Sequence, residues 1–381
     1  MLQTYASHCI NTKGRYIKED DCQVNRTIYE RDRDRIIHST SFRKLERKTQ
    51  VFIKSFDDYC RNRLTHSVEV SLIARSICNR LHLNENLGEA IALAHDIGHP
   101  PFAHSGEDAL KTATIKYIPF DHNVQAMRVL TILESRYANF DGLNLTWETL
   151  DGILKHNGII NNPNELICSL ADKYNFDLQA FPSAEAQVAA LADDIAYDSH
   201  DLDDAFRAGL ITFEQLEVLP ILGKIVKEKT DEYRGCPDNR VMHEILRTFM
   251  SAMIKDLINI FNIRIEKFKI NSIDDIRYLD ESIACFSEEM EFCNKRLKNF
   301  MREHVYESCD IFRERHKTYN IIISLFNVFC ESYKLLPEKW RVKFLDASER
   351  GVEYGKVVIC DYISGMTDDF AFKEYNKLFI V

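Results

Sequence analysis

The sequence is that of an all-α protein, and three observations carry that expectation. Apolar residues recur at steps of three and four along most of the chain, strand-like alternation is sparse, and Gly and Pro interrupt the helical pattern at discrete points. Hydrophobic residues make up 45% and charged residues 28% of the 381 positions, ordinary globular values that argue against disorder. A chain of this length has room for two or three average domains, although helical enzymes also run this long as one unit.

The elements follow in order. Residues 64–80 place Val68, Leu72, Ile73 and Ile77 at helical spacing, with Thr65 or Ser67 as the start signal and His66 in the first turn. Residues 87–97 form the next helix, which carries His95 and Asp96 at its end and is stopped by Gly98, Pro100 and Pro101. Further helices are expected over 106–115, 122–137, 146–156 and 184–208. From 240 the pattern stays helical. Ile276, Leu279, Ile283, Phe286, Met290, Cys293, Leu297 and Phe300 predict one long amphipathic helix, packing on the chain's own core or pairing as a coiled coil. No repeat or Gly/Ser linker marks a boundary. The expected organisation is an N-terminal segment (1–30), a catalytic core (31–210) and a helical C-terminal region (211–381) completing the body and its oligomer contacts, with one single domain as the alternative.

Eleven cysteines without a CxxC pair predict neither a disulfide framework nor a thiolate zinc site, and fit a reducing cytoplasm. The most apolar stretch, IIISLFNVFC at 321–330, is too short to span a bilayer, so no membrane partner is expected. A net charge of −10 disfavours nonspecific adhesion to nucleic acid while leaving room for a local basic groove. Arg and Lys are dense over 26–63, where they either face a polyphosphate or form a solvated helix face interleaved with acids.

Between Arg63 and Glu107, on either side of a helical interval, the chain gathers His66, His95, His99 and His104 with Asp96 around one Gly/Pro-rich turn. Neutral His and ionised Asp are natural ligands of a first-row divalent cation, and the apolar run Ala90–Ala94 would bury them. A His-Asp pair alone proves little, since it recurs at His200-Asp201. Two His and one Asp leave such an ion short of ligands. The nearly uncharged run before Asp193 and Asp194 supplies another carboxylate, giving His66, His95, Asp96 and Asp193 with open positions for water and substrate.

At this point an ordered series of segments resembles the HD-superfamily deoxynucleoside triphosphate triphosphohydrolases of the bacterial dGTPase type. RDRDRIIHSTSFRKLERKTQVF (31–52), RNRLTHSVEV (61–70), HDIGHPPFAHSGE (95–107), FDHNVQAMRVL (120–130), TLDGILKHNG (149–158), ADDIAYDSHDLDDA (192–205) and CDYISGMTDDFA (360–371) stand in family order, while 211–350 carries no assignable motif. The resemblance implies an HD-type helical bundle with a helical C-terminal elaboration. It implies metal ligands at His66, His95, Asp96 and Asp193, with Asp193 preferred over Asp194 because family members keep an Asp four residues before Tyr197. It further implies His104 as catalytic acid/base, Glu107 as its carboxylate partner and His122 as a second histidine near the phosphates. Gln50, Tyr197 and Asp201 match deoxyribose contacts, and Arg63 and Lys155 match phosphate contacts. His82 and His156 are left as structural or surface residues, and His99 as a turn histidine.

The expected reaction is hydrolysis of dGTP or another dNTP to deoxynucleoside and triphosphate, with one divalent ion per site, Mn, Mg, Fe, Ni, Co or Zn. Relatives assemble as tetramers or hexamers, so a homo-oligomer is expected, with a dNTP activator or single-stranded DNA as effector. Two other readings compete: an HD phosphohydrolase acting on nucleoside monophosphates or cyclic nucleotides, and a dNTP-sensing or single-strand nucleic-acid-binding protein.

Overall fold

Most helices begin at a side chain that accepts a hydrogen bond from the first turn. In the computed structural model, which describes residues 1–19, 26–50 and 61–380, helix α1 (Ile28–Ile37) opens with a capping box between Thr27 and Glu30, and α2 (Thr40–Lys44) with Ser39. Helix α3 (Arg63–Arg80) is capped by Asn62, whose side-chain oxygen accepts from the Thr65 N–H at 2.9 Å. The start therefore lies ahead of both residues expected to provide it. Asn84 caps α4 (Glu85–Ala94), which ends one residue before His95 rather than running through Asp96 and Ile97. α5 (Ala103–Thr114) follows, then α6 (His122–Arg128), capped by Asp121. α6 loosens into a π-helical turn over Val129–Leu133 and stops there, short of 137.

Thr146, Asn164 and Ser183 cap α7 (Trp147–Leu154), α8 (Glu165–Tyr174) and the long α9 (Ala184–Arg207). The C-terminal half continues with α10 (Phe213–Leu216), α11 (Leu222–Glu232), α12 (Asp238–Phe268), α13 (Ile273–Arg277) and α14 (Glu288–Met301). A π-helical turn over Arg302–Tyr306 leads into α15 (Cys309–Glu331), followed by α16 (Glu338–Ser348), α17 (Val352–Ser364) and α18 (Asp368–Phe379). No strand occurs among the described residues, only isolated bridges, and the fold is all-α.

The single helix expected over 276–300 is a correction: α13 ends at Arg277 and α14 begins at Glu288. The apolar residues are buried as their spacing implies, Ile276, Ile283, Phe286 and Met290 among them, but the backbone between has other partners. Gln187 Oε1 on α9 accepts from the N–H groups of Ile283 and Ala284 and from Ser282 Oγ, capturing donors a helix would need.

Two hydrophobic clusters result. The larger gathers the buried faces of α3, α4, α9 and α12, with Val70, Ala74, Ile91, Ala189 and Phe249 inside it. The smaller packs Phe102, Ala109 and Leu110, from α5 and its lead-in turn, against α15, α17 and α18. The arginine-rich N-terminal stretch is largely engaged internally. Arg26 pairs with Asp34, Arg33 with Asp34 and Glu89, and Arg35 donates to the carbonyls of Leu143 and Asn144. No helix among the described residues is long and apolar enough to cross a membrane.

Candidate active site

The turn between α4 and α5 joins the two clusters, and its sequence, HDIGHPPFAHSGE, answers to close backbone contacts. A Cβ on Gly98 would lie 2.0 Å from the His122 carbonyl oxygen and 2.3 Å from the Ala126 nitrogen, so only glycine lets α6 approach. One on Gly106 would lie 2.0 Å from the Pro101 carbonyl oxygen. Phe102 and Ala103 take positive φ, 66° and 54°, a strained choice for residues with a Cβ. The strain is held from α18: Asp368 accepts from the Phe102 N–H at 2.9 Å, and Phe372 meets the Phe102 ring edge-on at 4.8 Å. The buried Lys48 ammonium donates to the carbonyls of His99 and Ser364, tying the same turn to α17.

His66, His95, Asp96 and Asp193 converge from α3, the end of α4 and the middle of α9. His66 Nε2 lies 2.8 Å from Asp193 Oδ1, and His95 Nε2 lies 3.5 Å from both Asp193 Oδ1 and Asp96 Oδ1. The donor set fits a divalent cation for a reason visible in the hydrogen bonds. His95 Nδ1 is 2.6 Å from the Ala92 carbonyl, which only accepts, so the ring proton sits on Nδ1. The buried Nε2 has no hydrogen-bond partner and turns its lone pair toward two carboxylates. A cation among them converts that repulsion into coordination. Burial opposes charge on His95, yet Asp96 and Asp193 carry its pKa to about 9, so without an ion a second proton on Nε2 takes the place a cation would fill. Asp96 is held at about 2, against burial, by Arg63 at 2.8 Å and by His95 and His66. Asp193 faces this cluster, whereas Asp194 points outward to Lys298 at 2.7 Å.

Beside this group stands a second, built on α5 and α6. Glu107 Oε1 lies 2.8 Å from both His122 Nδ1 and Lys111 Nζ, and Glu107 Oε2 lies 3.7 Å from His104 Nδ1. These partners outweigh burial and hold the Glu107 carboxyl well below the ordinary range. His104 is the exposed member, its side chain 55% accessible, with the ring edge turned to His99. His99 stacks on His122 at 4.1 Å and is kept neutral by burial and by Arg63.

Both groups open into one cleft of about 640 Å³, within the roughly 300–1,000 Å³ that small-molecule sites span. On α9, Tyr197 and Asp201 line its wall one turn apart, and Tyr306, from the π-helical turn after α14, donates its hydroxyl to Asp201. Burial raises the Asp201 carboxyl to about 7 even though both tyrosines favour its ionised form. Gln50 lines the cleft with a buried side-chain oxygen lacking a hydrogen-bond partner. Lys298, Arg302 and Arg315 add cationic groups to the lining.

An HD domain model matches residues 63–198, and a phosphohydrolase-associated domain model matches 284–377. A deoxyguanosinetriphosphate triphosphohydrolase-like protein of Bartonella tribocorum is 44% identical, across 98% of this chain and 94% of its own. Its namesake in Rickettsia rickettsii is 44% identical across 99% and 98%. In Mesorhizobium japonicum, deoxyguanosinetriphosphate triphosphohydrolase-like protein 1 is 42% identical across 98% and 94%. The chain belongs to the deoxyguanosinetriphosphate triphosphohydrolase-like family.

Within this dGTPase-like chain two site expectations need correction. Lys155 is not in the cleft: its ammonium bonds Asp151 at 2.8 Å and the Asp177 carbonyl at 2.6 Å, a pairing shared with Arg277 on the far side of α7. A lysine so buried keeps its partner rather than reaching for phosphate. His156, read as structural, lies in the site, its Nε2 3.3 Å from Asp193 Oδ2 and its ring stacked on His95 at 5.3 Å. The adjacency to a family-like LKHNG segment was the available signal. Tyr306, Lys298, Arg302 and Arg315 lay in the stretch without motifs, and no local pattern points to them. Val51 and Phe52 of the N-terminal signature lie outside the described residues.

Proposed function

We propose that this chain is a metal-dependent hydrolase that converts a deoxynucleoside triphosphate, dGTP or a wider set of dNTPs, into deoxynucleoside and triphosphate. One observation carries the reading: a two-His, two-Asp cluster with a lone pair in need of a cation shares a cleft with a Glu107-anchored histidine pair. The names of the relatives support the substrate class.

In this reading His66, His95, Asp96 and Asp193 hold one divalent ion, which supplies Lewis acidity toward water and phosphate oxygens. Arg63, already ion-paired with Asp96, steadies phosphate, and Arg302, Arg315 and Lys298 offset the remaining charge of the triphosphate. Cleavage forms a bond from water oxygen to the α-phosphorus and breaks the bond to the 5′ oxygen. Water gives up a proton and the leaving oxygen takes one. His104, with Nδ1 toward Glu107 and Nε2 free for the cleft, serves that transfer, and His122 orients Glu107 and the phosphates. Tyr197 packs against the sugar at C2′, where an extra hydroxyl would collide, while Asp201 and Gln50 hydrogen-bond the 3′ hydroxyl. Tyr306 fixes Asp201 for that contact.

The test is product analysis with purified, metal-loaded protein given dNTPs singly and as mixtures. Triphosphate and deoxynucleoside in equal amounts are expected. Absence of triphosphate under every mixture refutes the proposal, and orthophosphate released from dNMPs instead would favour the monophosphatase reading.

A further inference from the structure

We propose that Glu69 and His200 form a proton-ordering relay that fixes His66 in the tautomer a metal requires. They act as positioning residues, and the inference rests on the metal reading above.

His200 lies seven residues after Asp193 on α9, buried, with its ring edge-on to His66 at 5.5 Å. Its Nδ1 is 3.3 Å from His66 Nδ1, and its Nε2 is 2.5 Å from Glu69 Oε2. Glu69 stands three residues after His66 on α3, and Arg61 Nε holds the same carboxylate oxygen at 3.3 Å. The order of protons follows from what each group can do. A carboxylate only accepts, so the His200 proton lies on Nε2. His200 Nδ1 is then a bare lone pair and accepts from His66 Nδ1–H. That leaves His66 Nε2 without a proton, facing Asp193 Oδ1 at 2.8 Å. Reversing the chain would set a bare His200 Nε2 against Glu69 at 2.5 Å with no cation between them, whereas a bare His66 Nε2 beside Asp193 is what an ion held by both requires. Glu69 therefore selects the metal-binding form of a histidine it does not touch.

His95 reaches the same state by a different device, the backbone carbonyl of Ala92. Outer partners that order a metal-bound imidazole are worth about 10- to 100-fold in affinity when removed. The backbone device cannot be deleted by substitution, but the relay can. Glu69 is partly exposed, so its removal leaves the core intact.

The experiment measures Mn2+ affinity of the full-length, metal-stripped protein by competition with a chromophoric chelator. Glu69→Ala is expected to weaken binding about 10- to 100-fold with an unchanged thermal midpoint of the stripped protein. His200→Asn is expected to weaken binding to a similar extent, because an amide that nothing orders can turn its NH2 as readily as its oxygen toward His66 Nδ1. Adding Glu69→Ala to His200→Asn should then cost nothing further. Wild-type affinity in folded Glu69→Ala, or the same loss in both backgrounds, overturns the relay while leaving the metal reading in place. Failure of the wild type to bind any divalent cation overturns both.

Discussion

At the scale of single residues the proposed function separates ion-holding from proton-moving groups. His104 touches none of the four ligands, so His104→Ala should lower triphosphate release by about 10² to 10⁴-fold while metal content per chain stays unchanged. Loss of metal with loss of activity would assign His104 to the ion instead. Lys48 gives a prediction in pH. Burial, with Lys44 and Arg63 nearby, lowers its pKa to about 7 from 10.5, so between these values the unfolded chain binds more protons and stability rises with pH. Its contribution is complete above the unfolded value and is lost as pH falls through 7. Lys48→Met should remove that rise: the variant is less stable than wild type at pH 10, where the neutral amine still donates to His99 and Ser364, and the difference shifts in the variant's favour by on the order of a few kcal/mol as pH falls to 7 in urea titrations. A pH-independent difference would mean that Lys48 stays charged when buried.

Among the elements, the α4–α5 turn and the α13–α14 break show how backbone contacts decide placement. Gly98→Ala drives a methyl into the His122 carbonyl and the Ala126 nitrogen, both main chain, so α6 must retreat and carry His122 with it. Destabilisation of about 1–3 kcal/mol in urea is expected, together with reduced turnover. Gln187→Ala removes the acceptor for Ile283 and Ala284. Leaving a buried donor unsatisfied costs about 1–3 kcal/mol, read as a lowered denaturation midpoint. An unchanged midpoint would show that water replaces the glutamine.

For the whole molecule, metal should couple the two hydrophobic clusters, because its ligands lie on α3, α4 and α9 beside the turn that leads into α5. Chelation is expected to abolish turnover and lower the thermal midpoint, with both recovered on adding back a divalent ion. A midpoint indifferent to chelator would mean that the folded chain holds no ion in preference to the unfolded one. By resemblance the chain should form tetramers or hexamers, and a monomer in light scattering at working concentration would refute that.

Much of this was legible in chain order, because a helix needs only local signals: a cap, a period of 3.6 and a stop. The periodic segments at 64–80 and 184–208, and the clustering of His95, Asp96 and His104 around one Gly/Pro turn, are properties of neighbours in sequence. Where a distant group competes for the backbone, local signals mislead. Ile276 to Phe300 has flawless helical spacing, yet Gln187 on α9 takes the donors and breaks it. Lys155 and His156 adjoin in sequence and diverge in space, one turned to Asp151 and the other to Asp193, by the direction each leaves the end of α7. Residue types and order were enough for the fold class and for gathering His and Asp groups that could hold a metal. Folding alone settled which carboxylate meets which imidazole and that Tyr306 lines the cleft against Asp201, since hydrogen bonds and ion pairs act over a few ångströms between groups far apart in sequence.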